Sequence, residues 1–386
     1  MKTVKLYDDS HLFEFMAKVI DCIKDGEIYK IVLDRTAFFP EGGGQCGDTG
    51  KIGGVEIYDT QIENGVIFHY SRFFVETGIN VNCEIDREPR FRRTQNHSGE
   101  HVFSGIANSL YGCENVGFHM GDEAMTIDFD KELSWEELMT VETQANEAVR
   151  RNLPIMTSFP CKEELSIISY RSKLDLTENV RIVEITGIDR CACCAPHMER
   201  TGDIGIIKIL EFERHRGGIR ITLVCGMNAL DDYRRRQESV TAVSQLLSAK
   251  RGDIAPAVER ILAEQAKAKE RIAALSMELA KLKAEGCAET DGSICLFDNV
   301  LDEVAQRELV NMLMEKCGGM AAVFCGSDTD GYRYIIGSRC FDLRKNGKAI
   351  NSAINGRGGG STQMIMGRAA AAAGDIFSAI ASYKFQ

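Results

Sequence analysis

Two histidines four residues apart stand in the stretch His97-Ser98-Gly99-Glu100-His101. On a helix such a pair lies on one face, one turn above the other, so both imidazoles can reach one ion. The chain has only seven histidines in 386 residues, which makes the pairing more informative than it would be in a histidine-rich protein. Far downstream, Cys193-Cys194-Ala195-Pro196-His197 sets a thiol beside an imidazole. Mixed nitrogen and sulfur donors are the usual ligands of zinc, and Pro196 disfavours a regular helix, so this second pair is expected on a turn. Two half-sites in one chain predict a Zn2+ site, with Cys191 and Cys194 competing with Cys193 for the thiolate position. Glu100, between the histidines, is a candidate general base; the alternative is that it faces solvent.

A third stretch, Asp34 to Gln45, ends in Pro40-Glu41-Gly42-Gly43-Gly44-Gln45. Gly42, Gly43 and Gly44 carry no Cβ and let the backbone approach a ligand closely. A plain hairpin turn is the competing account, but the polar residues flanking the glycines have the character of substrate contacts.

The elements that must position these groups predict an α+β fold in four segments. Residues 1–90 read as a β-rich subdomain, with runs such as Ile28–Leu33 and Gly65–Tyr70 between glycine and asparagine turns. Residues 91–228 mix helices (Thr94–Leu110; Ser134–Asn152 with Ser134 as N-cap) and a strand at Gly205–Leu210, and would form the zinc-binding core. Residues 229–286 read as helical. Val258, Ile261, Gln265, Ala268, Ile272, Leu275, Leu279 and Leu282 form a seam at steps of three and four, broken only by Gln265. An earlier helix carries Val240, Val243 and Leu247, and Gly252 and Pro256 interrupt between the two, so a coiled helical hairpin is expected, with a homodimer seam the alternative. Residues 287–386 read as a small α/β domain, with strands at Ala321–Cys325 and Tyr334–Gly337, flanking helices at Asp302–Cys317 and Gly367–Tyr383, and a glycine-rich loop at Gly356–Ser361.

Composition narrows the class. The chain is 44% hydrophobic and 27% charged, ordinary for a folded soluble protein, and no stretch reaches the ~18 apolar residues of a membrane helix. No apolar leader follows Met1, so a cytoplasmic protein without a membrane partner is expected. In a reducing compartment the crowded Cys191, Cys193 and Cys194 bind metal or stay free rather than form bridges. The net charge of -11 argues mildly against a nucleic-acid partner, although basic clusters occur at Arg87–Arg93, Arg214–Arg220, Arg234–Arg236 and Arg344–Lys348.

Four pieces together carry a family resemblance: Thr36 to Gln45, His97 to His101, Gly117-Phe118-His119-Met120-Gly121, and Cys193 to Gly205 followed by Lys208. In order and approximate spacing they resemble the editing domain of alanyl-tRNA synthetases and the free-standing alanyl-tRNA editing proteins, over roughly residues 1–226. The resemblance implies that His97, His101, Cys193 and His197 are the zinc ligands. It places Thr36 and Gln45 near the pocket, Thr36 as reader of the seryl hydroxyl, with Gly42–Gly44, His119 and Lys208 on the substrate side. Cys194-Ala195-Pro196 stand where two glycines and a threonine are usual. Gly356-Arg357-Gly358-Gly359-Gly360-Ser361 resembles the glycine-rich loop of the small domain that ends alanyl-tRNA synthetases and recurs in DHH-type phosphoesterases. That likeness implies the long free-standing form, with Arg357, Gly358, Gly359 and Gly360 touching tRNA and the terminal domain favouring a homodimer. No aminoacylation domain precedes residue 1, so synthesis of alanyl-tRNA is not expected.

The implied activity is hydrolysis of tRNA(Ala) mischarged with serine or glycine. A synthetase pocket for alanine cannot exclude glycine by size and rejects an added hydroxyl weakly, so a second hydrolytic site is the standard remedy. Two other readings compete. His97-Ser98-Gly99-Glu100-His101 fits the HxxEH pattern of a zinc peptidase, which leaves Cys193, His197 and the triple glycine unexplained. A tRNA-binding module with structural zinc also fits, because four protein ligands fill a tetrahedral site.

Overall fold

The computed structural model describes residues 3–121, 123–172 and 180–383. The fold is α+β, and its contacts divide the chain into two compact units, Met1–Val240 and Thr241–Gln386.

In the first unit, short alternating strands build a seven-stranded antiparallel sheet. Its order is Val55–Ile57, Gly50–Ile52, Asn80–Ile85, Glu14–Asp25, Ile28–Leu33, Val66–Ser71 and Asp59–Glu63. The last two strands are joined by Asn64-Gly65, both at positive φ, the pair that a tight hairpin requires. One face of the sheet supplies a core that includes Val19, Ile31, Leu33 and Phe38.

A 25-residue helix, Arg87–Tyr111, follows the sheet, and residues 90 and 94–107 of it are buried. It begins seven residues earlier than the sequence reading placed it. Pro89 falls in the first helical turn, where its missing N–H would have had no partner in any case. Around this helix pack a four-stranded antiparallel sheet (Asn115–Met120, Met125–Phe129, Gly218–Cys225, Ile207–His215) and the helix Trp135–Arg150. Ser134 caps the second helix in a reciprocal capping box with Glu137, as its sequence predicts. A third sheet, Ile155–Ser158, Ile182–Ile185 and Asp189–Ala192, delivers the chain to Cys193.

Within the basic run from Arg87 to Arg93, Arg90 and Arg93 are structural, while Arg87 is exposed and pairs with Glu14 at the surface. Arg90 is fully buried; its guanidinium pairs with Asp48 and donates to the Ala37 carbonyl, while the Phe39 N–H donates to the same Asp48 carboxylate. Arg93 donates to the Gly47 carbonyl. These contacts hold the turn around Gly42–Gly44 against the helix that carries His97.

The second unit contains the helix Ile254–Glu285 and a five-stranded sheet in the order Ile294–Asp298, Ala321–Ser327, Gly331–Gly337, Met364–Ala369 and Gly356–Gly360. Pro256 lies in the first turn of that helix and does not interrupt it. Its buried side is Ser276, Ala280 and Ala284, small residues that let the helix pack closely on Glu303–Leu313. The apolar seam faces the other way: Ile261, Ile272, Leu275 and Leu282 are exposed. Two expectations are corrected here. The glycine-rich Gly356–Gly360 is an edge strand, not a loop, and Gly367 belongs to its partner strand, so the last helix is only Ala373–Ala381. Strand pairing takes Gly367, Arg368 and Ala369 out of the expected helix. Arg357 lies directly opposite Arg368 in this pair, and Arg368 opposite Arg333 on the next strand.

Candidate metal centre and active site

The centre is assembled on the buried length of Arg87–Tyr111. His97 and His101 lie one turn apart with near-parallel rings, centroids 5.4 Å apart. The loop after Asp189–Ala192 brings in Cys193 and His197. Arg181 holds this loop by donating to the carbonyls of Cys193 and Ala195, both at 3.0 Å, and the Cys193 N–H donates to the Arg181 carbonyl. Sγ of Cys193 is 3.3 Å from Nε2 of His97 and 3.5 Å from Nε2 of His197. One donor atom from each of His97, His101, Cys193 and His197 lies within 4.8 Å of all the others, so these four side chains could hold a metal ion. Cys194 is exposed; Cys191 falls into a separate grouping with His101 and Asp189.

Each imidazole presents Nδ1 to a different outer partner. That of His97 is 3.0 Å from Gln45 Oε1, that of His101 3.1 Å from Asp189 Oδ2, and that of His197 3.4 Å from Ser98 Oγ, which also accepts from the Met198 N–H. Asp189 is in turn gripped by Arg171 through two contacts of 2.8 Å. A Cβ on Gly105 would sit 2.7 Å from Asp189 Cβ, so the bare glycine lets the Asp189 strand close on the helix and reach His101. Outer contacts of this kind fix ring orientation and leave Nε2 for a metal.

The electrostatics follow from that packing. Burial alone would raise the Cys193 thiol, but the neighbouring His97, with hydrogen bonds from His101 and His197, holds it well below its ordinary value. Burial, together with the positive charge on His101, pushes His197 down to about 3. Asp189 is held at about 2, its burial outweighed by His101 and Arg171.

A cavity of about 380 Å³ opens onto the cluster, lined among others by Gly43, His97, Glu100, His101, Asn115, Phe118 and Cys193. Glu100 is buried rather than solvent-facing. Its Oε1 accepts from Ser104 and Asn115, both at 2.6 Å, and its Oε2 lies 3.8 Å from His101 Nε2.

The remaining residues singled out from the sequence are distributed as follows. Gly42 and Gln45 exchange two backbone hydrogen bonds around Gly43 and Gly44, both at positive φ, so the stretch is a tight turn. Gly43 faces the cavity. A Cβ on Gly44 would meet the Phe118 carbonyl oxygen at 2.6 Å. Gln45 is buried behind His97 and outside the cavity lining. Thr36 is also buried outside it. Its hydroxyl lies 2.8 Å from His69 Nε2 and accepts from the Phe38 N–H, while His69 Nδ1 is 3.0 Å from the Ile31 carbonyl. His119 is exposed on its strand and does not line the cavity. Lys208 forms an ion pair with Glu142 at 2.7 Å, away from the cluster. Arg357, Gly358, Gly359 and Gly360 belong to the second unit and are exposed. The sequence reading missed His69, Asp189, Arg171, Arg181, Ser98 and Asn115. Only His69 carried a local signal, as a histidine on the inward face of an alternating strand with Ile67 and Ser71.

Sequence comparison is consistent with this arrangement. The profile of tRNA synthetases class II (A) matches residues 4–89, and that of the threonyl and alanyl tRNA synthetase second additional domain matches residues 180–222. The alanyl-tRNA editing protein AlaX-L of Pyrococcus horikoshii is 26% identical across 96% of this chain and 95% of its own length. Over almost its whole length the chain is therefore similar to an alanyl-tRNA editing protein. It is also similar to larger synthetases. The alanine–tRNA ligase of Halobacterium salinarum is 30% identical over 86% of this chain, and that of Methanopyrus kandleri 33% identical over 76%. The chain spans only 38% and 34% of those two ligases. Among the described residues no helix is long and apolar enough to cross a membrane.

Proposed function

We propose that this chain is a zinc-dependent aminoacyl-tRNA deacylase that clears serine, and with it glycine, from mischarged tRNA(Ala). The observation that carries the proposal is the convergence of three imidazoles and one thiol at a cavity that also contains the Glu100 carboxylate. The donor set suits zinc. Tetrahedral Zn–N and Zn–S bonds give donor–donor edges of roughly 3.3–3.6 Å, and the Cys193 contacts are 3.3 and 3.5 Å. Bound there, zinc would supply Lewis-acid polarisation of the ester or of water.

The rest of the chemistry belongs to the chain. Ser104 and Asn115 saturate one oxygen of Glu100, which orients the other toward the cluster, where it is placed to take a proton from the water that attacks the ester carbonyl. Gly43 gives the substrate close access to backbone. In this reading Gln45 and Thr36 act from behind the cavity wall: Gln45 orients His97, and Thr36 with His69 stiffens the strand leading to Phe38 and Phe39. Segments 1–90 and 91–228 would work as one editing body, with 229–286 and 287–386 as a tRNA-binding and dimerising extension. The outward seam of Ile254–Glu285 supports a homodimer, and the exposed Arg357 opposite Arg368 supports a contact to tRNA phosphate at Arg357–Gly360.

A second reading, a tRNA-binding module with structural zinc, is favoured by the presence of four protein donors, since filled tetrahedral sites are usually structural. Deacylation of Ser-tRNA(Ala) beside Ala-tRNA(Ala), by native protein and by His97→Ala, separates the two. Serine-selective release that the variant loses supports the hydrolase. No release by zinc-replete native protein leaves the binding module.

A further inference from the structure

Phe159 lines the same cavity as the metal cluster, yet 63% of it is exposed. A large apolar ring held in water at a cavity wall loses the burial that normally stabilises it, unless a ligand covers it. Among the described residues, Lys5, Arg171 and Arg181 share the lining. Arg171 is committed to Asp189, and Arg181 to Asp8 and two backbone carbonyls. Lys5 differs: its ammonium lies 5.6 Å from the centroid of the Tyr7 ring, and among the described residues no carboxylate comes within ion-pairing distance of it. The cavity therefore combines an exposed π-face with a cation that no acid among the described residues neutralises, beside a cluster suited to ester chemistry. An aromatic face stacks a base and an ammonium group takes a phosphate, the two contacts by which single-stranded nucleic acid is held.

We infer that Phe159 and Lys5 form a nucleotide subsite in this cavity, with the 3′-terminal adenine stacked on Phe159 and its phosphate on Lys5. The inference rests on the editing reading, in which the scissile ester sits on the ribose of that same nucleotide, so the base must lie within one nucleoside of the cluster. Of the other described aromatic rings in the lining, Tyr7 is buried and Phe118 half-buried.

Two measurements on the full zinc-loaded chain test it. In steady-state deacylation of Ser-tRNA(Ala), Phe159→Ala should raise KM about tenfold or more with kcat changed less than about twofold, and Phe159→Tyr should restore KM. Lys5→Gln should lower the salt dependence of KM by about one phosphate contact. In calorimetric titration with adenosine 5′-monophosphate, the native protein should bind and Phe159→Ala should bind about tenfold more weakly. If the native protein takes up the nucleotide in a Phe159-dependent way but releases no serine, the subsite stands and the editing reading falls. If Phe159→Ala leaves both KM and nucleotide binding unchanged, or the native protein binds no nucleotide, the subsite is overturned.

Discussion

The side-chain oxygen of Gln45 lies 3.0 Å from Nδ1 of His97, joining a turn of the first sheet to the helix 52 residues further along. An acceptor at Nδ1 makes that nitrogen the proton carrier and leaves Nε2 free for a metal. Gln45→Ala should therefore weaken zinc affinity about 10- to 100-fold, read by competition with a chromophoric chelator, while Gln45→Glu should preserve or tighten it. Equal affinity for all three proteins would show that the contact does not tune the ligand.

Cys193 and Cys191 are two residues apart but differently placed. Cys193→Ala should abolish stoichiometric zinc binding and seryl-tRNA hydrolysis, because it removes the thiolate 3.3 Å from His97 Nε2. Cys191→Ala should keep the metal. Metal analysis of both purified variants checks this, and zinc retained by Cys193→Ala would take Cys193 out of the ligand set.

The Thr36 hydroxyl is spent inside the protein, on His69 and on the Phe38 N–H. Thr36→Val leaves both partners unsatisfied in a dry site, at a cost of about 1–3 kcal/mol. We expect a lower midpoint in urea and an unchanged ratio of seryl to alanyl deacylation. A narrowed ratio at unaltered stability would return Thr36 to the role of hydroxyl reader.

His69 should make stability depend on pH. Burial lowers its pKa from 6.5 to about 4. Between those values the unfolded chain binds a proton that the folded chain refuses, so its contribution is fully present above pH 6.5 and is lost as pH falls toward 4. The loss amounts to about 3 kcal/mol. Urea unfolding at pH 7.5 and 5.0 should show native stability falling with acid, with a shallower fall in His69→Asn. Parallel pH profiles for the two proteins would remove His69 from the account.

The Arg90–Asp48 pair is wholly buried, and removing one partner strands the other charge. Arg90→Met should destabilise the first unit by about 3–5 kcal/mol, measured by chemical unfolding. The double variant Arg90→Met with Asp48→Leu should recover part of that loss, and no recovery would mean that shape, not charge, is what the site requires.

What the sequence disclosed and what it withheld divide along physical lines. Local periodicity was enough for the strand at Ile28–Leu33, the capped helix after Ser134, and the histidine pair on one helical face, since each depends on residues within a few positions. The helix read from Thr94 begins at Arg87, and Pro256, read as an interruption, sits harmlessly in the first turn of its helix. The glycine-rich Gly356–Gly360 was read as a loop because pairing with Met364–Ala369 is a tertiary event. The two half-sites at His97–His101 and Cys193–His197 were legible as a metal signal, whereas the choice of Cys193 over Cys191 and Cys194 came from family likeness. The partners behind them could not be read at all. Asp189 reaches His101 across 88 residues and Asp48 reaches Arg90 across 42, distances that only the folded chain closes.

The grip of Arg181 on the carbonyls of Cys193 and Ala195 separates the placing of the thiol from its chemistry. Arg181 stands just before the strand Ile182–Ile185 and is not itself one of the four grouped donors. A change at that guanidinium would shift Cys193 without removing any donor atom, so the path of the loop and the identity of its ligands can vary independently.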